Sequence, residues 1–522
     1  VLEPDTKLFI WPNKTFTPDG NVTLNSGGTG NSWDGKLQIS TSSAFVAQGT
    51  ESHSIGGSWL TEPSAAFTAA TSTVTFTATT SGKTISPDSS AFNTLQFTGS
   101  GGAWTFTDAH ATATDNVTIT NGTVAFATST FVIGGSFDNS GGSFTTGSST
   151  WTFTSTSSEI VRVNGSDTHT LVFSGGGAYV YQDTFATTTG DVTISSGTTT
   201  LPTNTFVVGG SFNSTGGGFD TGALLRFTSD SAGETITLAG SDVRALRFDG
   251  SGSWAMQDTN ATATESVTIN AGSVTAPSGA FAIAGSFVNN ATSSAFNANA
   301  GDLFFYGTST GFAVDPGGAL LSTVEFDSAS GGWTVENATS SGYWYITNAS
   351  SYTQTAGTQL EVGGVFTNLV GGDATTWANS TLFLNASGTS YTINTKAAGN
   401  DQYQTVSIAS STDVRMWNSA ATSTTVASSG SLYSQDHAEV DGDLYIWGDY
   451  NRSTGNDYWS YATDFDGASL SGSERQVNVR IASSSDLTFS GGTLAILGDE
   501  NASTTIEVQS TGAYIWEVTG GT

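Results

Sequence analysis

The densest group of residues able to do chemistry lies late in the sequence. Between His437 and Asp466 stand Asp441, Asp443, Asp449, Asp457, Asp464 and Asp466, with Arg452 and the rings Tyr445, Trp447, Tyr450, Tyr458, Trp459 and Tyr461. Clustered carboxylates offer the hard oxygen ligands that calcium takes, and Asp441, Asp443, Asp449, Asp464 and Asp466 are the candidate ligands. Carboxylates on one face also serve polysaccharide lyases and hydrolases. Tyr445, Trp447, Tyr450 and Trp459 are candidate platforms for glycans or for a protein interface. The competing role is turn formation, which Asp favours. "DGDLYIWGDYNR" lacks the ligand spacing of an EF-hand, so calcium is a candidate ligand and not a required cofactor.

Other catalytic signatures are weak. "GTSTG" at Gly307–Gly311 has the Gly-X-Ser-X-Gly spacing of a hydrolase elbow, but no helical pattern follows it. His53, His110, His169 and His437 have no partner at zinc-ligand spacing and read as surface or turn residues. Cysteine is absent, which removes disulfides, thiol nucleophiles and Cys-based zinc sites. The expectation is a protein that is not an enzyme, with no catalytic residues assigned.

Such side chains need a scaffold, and the sequence announces one by repetition. "IGGSW" at Gly57, "IGGSF" at Gly135, "VGGSF" at Gly210, "IAGSF" at Gly285 and "VGGVF" at Gly364 follow one another at steps of 78, 75, 75 and 79 residues, with a degraded copy at Gly442. "TLQFTGSGGAW" (Leu95), "TLVFSGGGAY" (Leu171), "ALRFDGSGSW" (Leu246) and "TVEFDSASGGW" (Val324) keep step with them. Within a copy the apolar residues alternate with polar ones, as in Val117-Thr118-Ile119, and Thr, Val, Ile, Phe and Trp dominate; this is the pattern of half-buried strands. Ser, Gly, Asn and Asp separate the runs as turns.

The fold class expected is all-β: a parallel β-helix, or β-solenoid, built from units of 75–79 residues, with tandem β-sandwich domains as the alternative. Matching Phe76, Phe97, Ile119, Phe137 and Phe153 suggests four rungs of roughly 19 residues per unit, or three of roughly 25. Residues one unit apart would then form a row along one side. Trp104, Tyr179, Trp254 and Trp333, one per copy, are expected in the core. The chain divides into N-terminal coils (1–60), a repeat solenoid (61–420) and a divergent segment rich in Asp and aromatic residues (421–522).

Composition narrows the partners. Of 522 residues 44 are acidic and 13 basic, a net charge of −31 with no basic cluster, which argues against nucleic acid and anionic membranes. No apolar run reaches the roughly 18 residues of a membrane span, so no membrane insertion is expected. Asn-X-Ser/Thr sequons recur, at Asn13, Asn21, Asn116, Asn121, Asn164, Asn213, Asn260, Asn290 and Asn337 among others, as on an exposed, glycosylated surface.

"VTITNGTVAF", "FVIGGSF" and "TLQFTGSGGAW" resemble the repeats of large β-helical bacterial surface proteins: filamentous-haemagglutinin-like and autotransporter-passenger-like adhesins, and the giant secreted repeat proteins of ultrasmall candidate-phyla bacteria. The resemblance covers roughly residues 20–420. It implies an extracellular parallel β-helix at the cell surface, serving as stalk, fibre, coat layer or adhesin. Neither end of the sequence reads as a polar cap, so self-association into a homo-oligomer or filament is expected. The alternatives are a protein that binds surface glycans or processes polysaccharide, and a tail-spike-like trimer.

Overall fold

A computed structural model describes residues 2–384 with side chains, apart from 4, 29–30, 221, 223, 371–373, and 378. Beyond these it places the backbone of twelve strands, from Ser390–Thr395 to Thr505–Val508. The chain forms two compact units, Val1–Asp258 and Thr259–Thr522. Each is a parallel β-solenoid, and the described residues make about 16 turns in all. Among the described residues the one helical element is a short 3-10 turn, Ser293–Ala295.

In the first unit the turns of chain lay short strands on three faces, with a single bridging residue, Phe92 or Thr168, in place of a strand in two of them. Lys7–Ile10, Lys36–Ile39 and Trp59–Thr61 open the first face; Thr15–Phe16, Ala44–Val46 and Ala66–Thr68 the second; Thr23–Leu24, Ser52–Ile55 and Thr73–Phe76 the third. Alternation decides which side chains point inward. In Thr73–Phe76, Val74 and Phe76 are buried while Thr73 and Thr75 lie on the outer surface. Each fully buried Val, Leu, Ile or Phe contributes about 1.5–3 kcal/mol relative to exposure.

Register fixes the length of a turn. On the third face Val74 pairs with Leu95, Leu95 with Val117, Val117 with Phe137 and Phe137 with Val161, so successive turns take 21, 22, 20 and 24 residues. This corrects the rung series expected from the sequence. Phe76, Phe97 and Ile119 do share a column, but the next position in that column is Asn139, because Phe137 pairs with Val117. Phe153 belongs to another face, between Ile133 and Phe173. A turn of 20–24 residues fits the repeat neither three times nor four.

The repeat instead spans eleven strand positions, three turns and two thirds, so each copy begins on a different face. Trp59 of "IGGSW" lies on the first face, Phe137 of "IGGSF" on the third and Phe212 of "VGGSF" on the second. The same step occurs within the second unit. There Phe287 stands in the column Val267–Phe287–Val314, whereas Phe366 stands in a different one, Phe281–Leu303–Val324–Trp344–Phe366. Equivalent residues of successive copies therefore wind around the axis and do not form a row along one side.

Candidate functional site

The recurring aromatics are structural. Phe76 stacks on Phe97 at 5.2 Å and Phe97 meets Trp104 at 5.3 Å; in the next copies Phe153–Phe173–Tyr179, Phe227–Phe248–Trp254 and Phe305–Phe326–Trp333 repeat the arrangement with ring separations of 5.0–5.3 Å. Trp104, Tyr179, Trp254 and Trp333 are all buried, as the sequence suggests. Tyr179 alone among these four gives its polar atom a partner: its hydroxyl accepts a hydrogen bond from the Ser155 amide at 2.6 Å, while the three indole N–H groups have none.

The "GGSF" motif is consumed in the same way. The Ser136 hydroxyl donates to Glu159 Oε2 at 2.6 Å and accepts from the Ile160 amide at 3.0 Å; Ser211 makes the equivalent bonds to Glu234 at 2.7 Å and Thr235 at 3.0 Å. Two residues after the Phe, Asn139 is buried; its side chain donates to the Val163 carbonyl and accepts from the Gly142 amide, both at 3.0 Å. Sequence reasoning missed this inward Asn, whose signal is its recurrence as Asn289 and Asn368, two residues after Phe287 and Phe366.

Recurring acids serve the corners. Asp183 accepts the Val163 and Asn164 amides at 2.7 and 2.8 Å, and Asp258 accepts those of Leu238 and Ala239 at 2.6 and 2.8 Å. Asn164 and Ala239 have left-handed backbones, φ 50° and 52°, so each carboxylate pins a tight turn of the preceding coil. Asp183→Ala is expected to cost about 2 kcal/mol, the scale of lost hydrogen bonds to a charged acceptor, measured as a urea-midpoint shift; Asp183→Asn should cost less. The most buried acid, Asp34, accepts from the Gly27, Asp5 and Gly28 amides at 2.7, 3.1 and 3.1 Å and from the Ser26 hydroxyl at 2.5 Å. Burial pushes its carboxyl up, but these bonds and the Lys83 charge outweigh it, and the net shift is downward.

Asp441, Asp443, Asp449, Asp464, Asp466, Tyr445, Trp447, Tyr450 and Trp459 lie outside the residues whose side chains are described. Among the described residues no three acids or histidines are placed to hold a metal ion. Gly307–Gly311 forms a loop between the strands Asp302–Phe305 and Phe312–Asp315, with no helix after it. Also among the described residues, no helix is long and apolar enough to cross a membrane.

His53 corrects the expectation of a surface residue. It is buried, points inward from Ser52–Ile55 and packs 5.0 Å from Phe45. Its Nδ1 accepts the Val22 amide at 3.2 Å, which fixes the neutral form with the proton on Nε2. Burial lowers its pKa, and the nearby Glu51 charge opposes this only in part. With the folded value depressed, the unfolded chain takes up the proton first. Stability is therefore full above about pH 6.5 and falls as pH drops from there towards the depressed value, by at most about 1.4 kcal/mol per pH unit. His53→Gln keeps an acceptor for Val22 and should flatten that slope between pH 7 and 5, read by urea titrations at each pH.

What varies between copies is the outer surface over a constant core. On adjacent strands Thr75, Gln96 and Thr118 stand in register in one copy, and Thr152, Val172 and Thr193 in the next. The third copy begins the same row with Arg226 and Arg247, which both pair with Asp249, at 2.5 and 2.9 Å. The fourth carries Phe304, Glu325 and Tyr345. Tyr306 and Tyr343 flank them. Phe304 and Tyr306 lie near-parallel at 6.1 Å (11°), and Tyr343 and Tyr345 at 5.6 Å (18°). Tyr343 is 46% exposed, and Phe304, Tyr306 and Tyr345 are half-buried. Glu325 accepts the Thr347 hydroxyl at 2.8 Å, and Asp327 holds the Asn348 amide. Partial burial, followed by the neighbouring Tyr343, Glu325 and Asp302, raises the Tyr345 hydroxyl pKa. This patch is the one the sequence reading overlooked, because "DLFFYG" passes for another strand of the core.

No protein family model, curated protein or solved structure matches the chain.

Proposed function

We propose that the protein is an extracellular structural element, a β-solenoid subunit of a cell-surface assembly such as a fibre, stalk, coat layer or adhesin. The observation that carries this reading is where the repeated residues go. The Phe–Phe–Trp triads, the motif Ser, the inward Asn and the corner Asp all bind one coil to the next. Moreover, successive copies turn to different faces. A recurring catalytic or binding site would keep recurring side chains free, whereas these build a continuous wall. Exposed sequons at Asn13, Asn21, Asn121, Asn164, Asn260, Asn290 and Asn337 fit a secreted, glycosylated surface.

Electron micrographs of the native material should show filaments or sheets, and sedimentation should show association that rises with protein concentration. Isolated particles and a strictly monomeric mass at high concentration, with and without calcium, would remove the assembly role.

A further inference from the structure

We infer that the outer surface of the fourth repeat copy, centred on Phe304, Glu325 and Tyr345, binds a glycan chain that carries no anionic groups. Folding does not call for aromatic residues there. The inward triad Phe305–Phe326–Trp333 matches that of the other copies, and the outer positions equivalent to Phe304, Tyr306 and Tyr345 are Thr75, Thr77 and Thr118 in one copy and Thr152, Thr154 and Thr193 in another. Three threonines have thus given way to rings within three adjacent strands of one sheet, with Tyr343 beside them. A cluster of partly exposed rings, where the first two copies carry mostly Thr, marks a contact site.

The arrangement selects the ligand chemistry. The two ring pairs stand on strands two positions apart, about 10 Å at sheet spacing, with the Glu325 strand between them. A ligand lying across them meets an apolar ring, a carboxylate and a second ring in turn. A sugar chain answers that alternation, laying C–H faces on rings and offering hydroxyls to Glu325, Asp302 and Asp327. An apolar peptide face would take those carboxylates out of water while answering none of the acceptor capacity that Thr347 and Asn348 leave open on Glu325 and Asp327. The same acids repel phosphate, sulfate and uronate groups, which sets aside nucleic acids and anionic glycans.

The full-length protein is applied to an array of neutral, amino-substituted and anionic glycans, beside the double variant Phe304→Thr/Tyr345→Thr. Both substitutions restore the Thr that the first two copies carry at that outer position, so the fold is preserved, and circular dichroism checks that it is. The expected result is binding to neutral or amino-substituted glycans that falls at least tenfold in the variant. Binding to no glycan, binding to anionic glycans alone, or binding unchanged in the variant overturns the inference. So does loss of self-association in the variant without any glycan bound, which would make the patch a protein interface.

Discussion

Trp151→Ala is expected to destabilise the first unit by about 3–5 kcal/mol, the cost of emptying a large buried aromatic site. Trp151 is fully buried on the second face, with the Phe126, Phe137 and Phe144 rings at 4.9, 4.7 and 5.2 Å. Phe137 comes from the third face and Phe144 from the first, so this one indole ties all three walls of the coil together. A solenoid is held by contacts between neighbouring coils, so the damage should be local. Hydrogen exchange should lose protection around Thr130–Ile133, Phe137–Asn139 and Thr170–Phe173 while Lys36–Ile39 keeps it. Trp151→Phe is the control. It retains most of the ring and removes an indole N–H that has no partner, so it should cost below about 1.5 kcal/mol. Equal effects of the two variants on the urea midpoint would show that the ring does not bridge the walls.

Gly134→Ala is the second large effect, expected at about 3 kcal/mol. A Cβ on Gly134 would lie 2.1 Å from the Thr114 carbonyl oxygen, on the backbone of the preceding coil, and the equivalent Gly209 would place one 2.3 Å from that of Thr189. Both contacts are with main chain, which has no rotamer by which to retreat. The Gly134 amide meanwhile donates to Ala113 at 2.8 Å, so moving the strand away would break a rung of the sheet. Gly147→Ala makes the comparison: its φ is +57° and nothing lies within 4 Å of an added Cβ, leaving only backbone strain of about 1 kcal/mol. If the two variants unfold at the same urea concentration, the close approach of coils at the "GGSF" node is not what holds that glycine.

Much of the architecture was legible in the sequence. Alternation in Val117-Thr118-Ile119 and the step between Gly135 and Gly210 lead directly to strands and to a repeating unit, and the burial of Trp104, Tyr179, Trp254 and Trp333 follows from their regular placing. The length of a turn was not legible, for a physical reason. An inward corner such as Asn139 looks like any turn residue, so the column Phe76–Phe97–Ile119 loses its apolar marker there and Phe137, two residues earlier on the same strand, takes its place by resemblance. The eleven-strand repeat then hides itself, since a unit that is not a whole number of turns carries identical residues to different walls. His53 was misread because one imidazole accepting a single amide can stand in for an apolar core residue. The ring cluster was not legible for a related reason. Its signal at Phe304, Tyr306 and Tyr345 appears only when copies are compared position by position and threonine turns aromatic, while the Asp- and Tyr-rich candidates after 434 lie outside the residues whose side chains are described.

The most direct test of the account concerns the winding of the repeat around the axis. The chain has no cysteine, so paired spin labels can be placed cleanly. Thr118 and Val180 are outer positions on the same face, three turns apart, and Thr118→Cys with Val180→Cys should give a separation of about 15 Å. Thr118 and Thr193 are equivalent residues of successive copies, on the third and second faces. Labels at Thr118→Cys and Thr193→Cys should lie beyond about 25 Å, since they are displaced both along the axis and around a corner. A separation of about 17 Å for that second pair, the axial rise of the repeat alone, would place the copies in a row on one side and contradict the account.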